Sequence, residues 1–345
     1  MKTLLTLAVA LALVVVPLGA YVRLSNAGLG CPDWPGCYGK LVGVPVAAPE
    51  KAAAVLAFPG KPVEPLKAWK EMIHRYAAGT LALLILAIAL RAWSARERER
   101  HSPLLPTLLL GLVLCQALLG MWTVTLLLKP VIVTAHLVGG MATAGLLLWL
   151  RLREGLAGVP AATPTGVTSA GGNSGGTISA GATSPRVTSA SASAPLASGL
   201  LALAAVALQI GLGGWVSSHY AALACPDFPA CRDGSWTPVD PSTAIHLLHR
   251  AGALVVALAV GAFALNLWRR GRSGLALLLG AAVCLQIGLG IANVVLRLPL
   301  PIAVAHNGGA ALLLLALVAT NAAVRASFTS NLACSEHVRL RPQGS

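Results

Sequence analysis

The sequence predicts an all-α integral membrane protein with eight transmembrane helices, built as two tandem four-helix bundles with both termini in the cytoplasm. Hydrophobic residues make up 56% of the 345 residues and charged residues only 10%, whereas soluble domains carry about 25% charged residues. Eight apolar runs are long enough to cross a bilayer. The landmarks of the first half also recur, in the same order, in the second half.

The eight predicted spans follow from apolar runs of about 20 residues, the length that crosses a hydrocarbon core of about 30 Å. In order they cover residues 4–21, 73–92, 104–126, 131–150, 196–216, 244–267, 275–296 and 302–324. A signal peptide is an alternative interpretation of the first run. We predict that span 1 is retained, because span 5 is a similar run, followed by a similar cysteine loop, deep inside the chain.

The basic residues set the orientation. The net charge is +14, and the arginines flank apolar runs, which favours anionic lipid as their partner rather than nucleic acid. Arginines crowd the loop between spans 2 and 3 and the loop between spans 6 and 7, so these loops are predicted to be cytoplasmic. The lysine-rich loop between spans 1 and 2 fits poorly, but long loops count less. The odd-numbered spans then lead to loops on the outer side of the membrane.

A low-complexity segment separates the two halves. Residues 153–195 are rich in Gly, Ser, Thr, Ala and Pro with almost no charge, which predicts a flexible cytoplasmic linker. The predicted divisions are residues 1–152 for the first half, 153–195 for the linker, 196–326 for the second half and 327–345 for a cytoplasmic tail.

The repeat between the halves rests on four landmarks. The string "GCPDWPGC" from Gly30 returns as "ACPDFPAC" from Ala224. The strings "HRYAAG", "VTAHLVGG" and the glutamine of span 3 return as "HRAGA", "AVAHNGGA" and the glutamine of span 7. Because a unit of four helices is even-numbered, both copies insert with the same orientation.

A fainter repeat lies inside each half. Gln116, Gln209 and Gln286 each begin a Gln-x-x-x-Gly motif in an odd-numbered span, and span 1 has Val15 in place of the glutamine but keeps Gly19. Glycines allow a neighbouring helix, or a flat ligand, to approach the backbone closely. The sequence leaves both explanations open.

Four histidines lie near the outer ends of the even-numbered spans, at matching depths: His74, His136, His249 and His306. A single histidine on an apolar helix is usually a hydrogen-bonded core residue, but ionisable residues inside a membrane are candidates for function. Two imidazoles from facing helices can ligate a haem iron axially. Zinc usually requires more cysteine or carboxylate ligands. We therefore predict one haem site between spans 6 and 8 and an equivalent site between spans 2 and 4.

The residues beside the first histidine of each pair differ between the halves. Glu71 lies one turn before His74, where the second half has His246, which could also compete as a ligand. A carboxylate beside one pocket only would supply a proton donor or acceptor there; the alternative is a solvated glutamate at a helix start. Arg75 and Arg250 could reach the interface or pair with haem propionates.

These motifs resemble the haem A synthase family, in its bacterial type with cysteine pairs, over nearly the whole chain. The resemblance is carried by "RLSNAGLGCPDWPGC" from Arg23, "EMIHRYAAG" from Glu71, "AHLVGG", "HRAGA" and "AHNGGA". It implies stepwise oxidation of the C8 methyl of haem O to a formyl group, which gives haem A for terminal oxidases. It also implies that His249 and His306 hold a haem b cofactor, that His74 and His136 ligate the haem substrate, and that Glu71 is catalytic.

The resemblance further implies a Cys31–Cys37 disulfide, and the repeat makes Cys225–Cys231 the matching pair. A shape-holding role is favoured for both, with a redox role for Cys31–Cys37 left open. Implied partners are haem O synthase, a quinone or other electron donor, oxidase assembly factors and a second copy of the chain. Three rival functions are considered. They are a di-haem b-type electron-transfer cytochrome, a thiol-disulfide oxidoreductase, whose cysteines usually read Cys-x2-Cys, and a transporter, which the duplicated bundle permits but which would need midplane polar residues or broken helices that the spans largely lack.

Overall fold

The computed structural model describes residues 1–94, 102–156 and 189–339, with the side chains of 155–156, 189–194 and 329–339 outside the description. Within these ranges the regular structure is helical, and eight helices are long and apolar enough to cross a membrane. The predicted all-α membrane fold is therefore confirmed, while its orientation stays a prediction. The eight helices are α1 (Lys2–Leu24), α2 (Pro65–Trp93), α3 (Leu104–Thr125), α4 (Pro130–Leu156), α5 (Ser189–Ser218), α6 (Pro241–Arg269), α7 (Ser273–Val295) and α8 (Leu300–Arg339).

Helices α2 and α6 begin earlier than the apolar runs predict. Helix α2 starts at Pro65 and α6 at Pro241, because a proline at the first helical position is already in helical conformation and gives up no hydrogen bond. At α6 the Asp240 carboxylate also accepts the Thr243 N–H at 2.9 Å, which satisfies a free donor of the first turn. Hydropathy misses these turns because their residues are polar. Glu71 therefore lies inside α2 rather than at its start.

Helix extends into the segments predicted as linker and tail. Helix α4 continues to Leu156 and α5 begins at Ser189, so both ends of the predicted linker are helical and its remainder lies outside the described residues. Helix α8 continues to Arg339. The sequence after residue 326 contains no glycine or proline before Pro342, so nothing local ends the helix there.

The four helices of each half of the chain contact one another, and the two halves also pack together. In the first half α1 and α3 each contact α2 and α4, and in the second half α5 and α7 each contact α6 and α8. Helices α1 and α4 of the first half pack against α8, and α4 also packs against α5. The histidine-bearing helices are thus diagonal partners within each half, which places two imidazoles across from each other.

Bulky side chains fill the end of each bundle that is remote from the histidines. In the first bundle this core includes Leu5, Ile85, Leu109 and Leu147. In the second it includes Val260, Phe263, Leu279 and Leu317. Because the helices alternate in direction, these residues all lie at one end, and a cavity remains at the other end.

The two cysteine loops cover the histidine end. The structure joins Cys31 to Cys37 and Cys225 to Cys231 as disulfides. The first loop also contains a short helix, Ala48–Ala57. The turn that follows Cys37 in this loop is held by Asp33, whose carboxylate accepts hydrogen bonds from the N–H groups of Tyr38 at 2.6 Å and Gly39 at 2.8 Å. These bonds fix the loop shape independently of the membrane helices.

Candidate functional site

One large cavity extends across the histidine end of both bundles. Its volume is about 1500 Å³, and it is lined by all eight helices and by both cysteine loops. Drug-sized ligands usually occupy pockets of about 300–1,000 Å³, so this cavity has room for more than one flat ligand. Trp34 and Phe228, at equivalent positions of the two cysteine loops, form part of its lining.

The structure brings the predicted histidines to this cavity. His74 and His136 line it in the first bundle, and His249 and His306 line it in the second. Within each bundle the two imidazoles lie close enough to interact electrostatically. The sequence prediction of two histidine pairs at one end therefore agrees with where these side chains lie.

A glycine of the preceding helix lies against each imidazole. A Cβ atom added at these glycines would lie 2.9 to 3.4 Å from the Cε1 atom of the facing histidine. Real Cβ atoms rarely come so close, so a larger residue would displace the ring. The open question about the Gln-x-x-x-Gly motif is answered at this position, because its glycine makes room for an imidazole. The pairs are Gly19 with His74, Gly120 with His136, Gly213 with His249 and Gly290 with His306.

The glutamines of the same motif hold the histidine helices. Gln209 Nε2 donates to the His249 carbonyl at 2.8 Å and lies 3.0 Å from His249 Nδ1. Gln286 Nε2 donates to the His306 carbonyl at 2.9 Å. The sequence identified the glutamines but not the helices that they contact. The signal for these contacts is a glycine three residues after His136, His249 and His306, because each glutamine side chain lies against one of these glycines.

Glu71 binds the first cysteine loop. It is only 4% exposed, and its Oε2 accepts the Cys31 N–H at 3.0 Å. Its Oε1 accepts a hydrogen bond from Arg75 Nη2 at 2.6 Å. Arg75 Nη1 donates to the carbonyls of Asp33 and Pro35 at 3.0 and 3.3 Å and also to that of Gly36. The alternative of a solvated glutamate at a helix start is therefore wrong.

The second bundle holds its loop in the same way with one change of chemistry. His246 Nδ1 accepts the Cys225 N–H at 3.3 Å, where Glu71 accepts the Cys31 N–H. The terminal nitrogens of Arg250 donate to four loop carbonyls, including those of Asp227 and Ala230. Both arginines thus bind loops through their terminal nitrogens, and their propionate role stays a prediction. The asymmetry that remains is a carboxylate paired with an arginine in the first bundle only.

Comparison with known proteins decides the family. The COX15-CtaA family model, described as cytochrome oxidase assembly protein, matches residues 2–318. The chain belongs to this family. A heme A synthase of Shewanella oneidensis is 42% identical over 92% of the chain and 94% of its own length. A heme A synthase of Bacillus licheniformis is 25% identical over 84% of each. Membership makes the chain an enzyme, a membrane oxidoreductase of the heme A synthase family.

The donor set in this family member fits haem better than a protein-bound metal ion. Within the described ranges, no three His, Cys, Asp or Glu side chains are placed to hold a metal ion, whereas zinc sites use three or four protein ligands. Two facing imidazoles and an apolar cavity suit the two axial positions of a haem. Among described residues, Nδ1 of His74, His136 and His306 is buried without a hydrogen-bond partner.

Sequence reasoning missed three polar residues that line the cavity. Arg23 Nη2 donates to the Ser217 carbonyl at 3.2 Å, between the bundles, and its Nε is buried without a partner among the described residues. Asn293 and Asn307 line the cavity with buried, unpartnered Oδ1 atoms of the same kind. The sequence signal for the two asparagines is an amide inside an apolar span, at positions where the first half has Thr123 and Leu137.

Proposed function

We propose that the chain is a haem A synthase that oxidises the C8 methyl of haem O to a formyl group, with haem b as its redox cofactor. One observation carries the proposal: two histidine pairs line one cavity, and of the described residues that line it, Glu71 is the only carboxylate. It lies one turn from His74 on α2. Two haems with different tasks require pockets that differ chemically, and a carboxylate beside only one histidine pair provides such a difference. Membership of the family also supports the proposal.

In this proposal the histidine pairs have separate tasks. His249 and His306 would ligate haem b, and His74 and His136 would ligate the haem substrate. Bound haem b supplies a one-electron carrier beside the substrate. The apolar lining and the two loops exclude water, which strengthens electrostatic interactions inside the cavity.

Glu71 would act on the substrate methyl group in the first pocket. With dioxygen as the oxidant and a quinol-type donor of two electrons and two protons, each hydroxylation would insert one oxygen atom into a C–H bond of the methyl carbon and release the other as water. The first hydroxylation gives a hydroxymethyl group, the second gives a geminal diol, and loss of water from the diol gives the formyl group. Positive charge that develops during oxidation is stabilised by a preorganised carboxylate, and the proton lost from the hydroxyl group needs an acceptor. The Cys31 N–H and Arg75 hold the Glu71 carboxylate in place for both roles.

Arg23 is a propionate partner that the contacts favour. Its guanidinium lines the cavity at the junction of the two bundles, and its Nε has no partner among the described residues. The terminal nitrogens of Arg75 and Arg250 already bind loop carbonyls. Because Arg23 also donates a terminal nitrogen to the Ser217 carbonyl, we propose it as a propionate partner beside Arg75 and Arg250.

The distribution of arginines supports an orientation in which the histidine end of the bundles faces the periplasm, with the protein in the bacterial inner membrane.

Haem extraction tests this function. The chain is expressed in a host that makes haem O but lacks a haem A synthase, and the haems of the membranes and of the purified protein are separated by chromatography. The expected result is haem A in the membranes and haem b in the purified protein. A di-haem cytochrome would instead contain haem b in both pockets and produce no haem A.

A further inference from the structure

Three of the four histidine helices share a contact that we name the amide clamp. It consists of a glutamine on the odd-numbered helix, whose amide lies against the glycine three residues after the histidine. A Cβ atom added at any of these glycines would collide with the amide, so the clamp needs both residues. The clamps are Gln116 with Gly139, Gln209 with Gly252 and Gln286 with Gly309.

The fourth histidine helix lacks the clamp. On α1 the glutamine position is Val15, and on α2 the glycine position is Ala77. Both residues belong to the apolar cluster of the first bundle, in which Val15 is buried. Both residues of the clamp are therefore replaced in this pair of helices. Val15 has no amide, and the methyl group of Ala77 occupies the space that an amide would need. Helix α2, which carries His74 and Glu71, is therefore held at this level by apolar contacts.

The two kinds of contact restrain a helix differently. An amide that donates to a backbone carbonyl is directional, and breaking it inside a membrane leaves a polar group unpaired. Apolar contacts are non-directional and tolerate small shifts of one helix against another. Gln209 and Gln286 make such a bond, and Gln116 makes the same close approach to its glycine. The clamped histidines are thus more restrained against the neighbouring helix than His74, which is held by apolar contacts.

We propose that His74 is the exchangeable ligand of the first pocket, because Val15 and Ala77 leave its helix unclamped. A substrate pocket must admit haem O and release haem A in every turnover, whereas a cofactor pocket must retain its haem. The unclamped helix is the one that carries Glu71, and both helices of the other pocket are clamped. Val15 and Ala77 are then positioning residues, and this inference rests on the proposed function.

Building the missing clamp tests the inference. The double variant Val15→Gln/Ala77→Gly is purified, loaded with haem O and mixed with excess apomyoglobin, and the haem O and haem b that remain are separated by chromatography over time. We expect haem O release to slow at least about threefold and kcat to fall in parallel, with haem b retention unchanged. Ala77→Gly alone controls for the flexibility of glycine and should release haem O at the wild-type rate or faster.

Removal of a clamp provides the opposite test and does not depend on the new clamp folding. Gln116→Val/Gly139→Ala should speed haem O release, and Gln286→Val/Gly309→Ala should speed loss of haem b only. The low-spin absorption signature of each loaded variant reports whether both ligands stay bound. Unchanged haem O release in both first-pocket double variants would overturn the inference. If His74→Ala and His136→Ala bound haem O normally, the proposed function would fail instead.

Discussion

Glu71 on α2 accepts the backbone N–H of Cys31 through Oε2 at 3.0 Å. This bond joins the residue that we assign to catalysis to the residue that closes the first disulfide loop. In the second bundle His246 makes the equivalent bond to Cys225. Loop anchoring is therefore common to both halves, and the negative charge of Glu71 is what distinguishes the first pocket.

Replacement of Glu71 by glutamine separates anchoring from charge. The amide oxygen of Glu71→Gln can still accept the Cys31 N–H, but the ion pair with Arg75 is lost. General acid–base catalysis contributes about 100- to 10,000-fold, so we expect conversion of haem O to fall at least about 100-fold while haem b content stays normal. Chromatography of extracted haems measures both quantities. His246→Gln is the matched control and should keep its activity; wild-type turnover by Glu71→Gln would remove the catalytic role.

A methyl group at Gly290 should disturb the His306 ring. A Cβ atom there would lie 3.1 Å from His306 Cε1, whereas nothing lies within 4 Å of one at Gly280 on the same helix. Overpacking of this kind typically costs about 1–3 kcal/mol. We expect Gly290→Ala to lose most of its haem b and Gly280→Ala to retain it, as measured by haem absorbance per protein. Equal haem content in the two variants would show that the ring is not held by this glycine.

Arg250 should protect the second disulfide. Its guanidinium donates to four loop carbonyls, which a lysine ammonium cannot reproduce. Cys225 and Cys231 are buried, at 0% and 2% exposure, so reductants should reach them slowly. We expect faster reduction in Arg250→Lys, measured by alkylation of the freed thiols and mass spectrometry. Arg232→Lys changes an exposed arginine of the same loop and should reduce at the wild-type rate.

The same burial bears on the thiol-disulfide rival. Cys31 and Cys37 are both 0% exposed, and thiol–disulfide exchange requires access of an attacking thiolate to a sulfur atom. The loop as folded therefore favours the shape-holding role of the disulfide.

Acid should loosen the first outer loop. The Lys40 ammonium, together with the N–H groups of Val46 and Ala47, lowers the pKa of the Glu50 carboxyl to about 2. Because the folded pKa lies below the usual value of 4.5, the stabilisation is complete above about pH 4.5 and is lost as the pH falls towards 2. The protection factors of amide hydrogens around the Ala48–Ala57 helix, which correct for the intrinsic pH dependence of exchange, should fall over this window in the wild type. In Glu50→Gln they should already be lower at neutral pH, and protection factors that respond to neither change would contradict the assignment.

The sequence predicted the spans and the histidine pairs because both depend on local signals. Apolar runs define the helices, and the repeat between the two halves distinguishes His74, His136, His249 and His306 from the other histidines. The earlier start of α2 was missed because Pro65 lies in a polar stretch. The contacts of Arg75 were missed for a different reason. Its partners are backbone carbonyls, which every residue type presents, so no sequence pattern marks them. Likewise, the spacing of Gln286 and Gly290 shows only that both lie on the same face of one helix. It does not show which neighbouring helix that face contacts.

The central claim is that the two histidine pairs have different tasks, and haem analysis of two matched variants tests it most directly. His306→Ala and His136→Ala remove equivalent ligands from α8 and α4. Haem b per purified protein and conversion of haem O to haem A are measured for both. We predict that His306→Ala loses haem b, while His136→Ala retains haem b and no longer produces haem A. Full haem b in His306→Ala, or equal loss of haem b in both variants, would contradict the account.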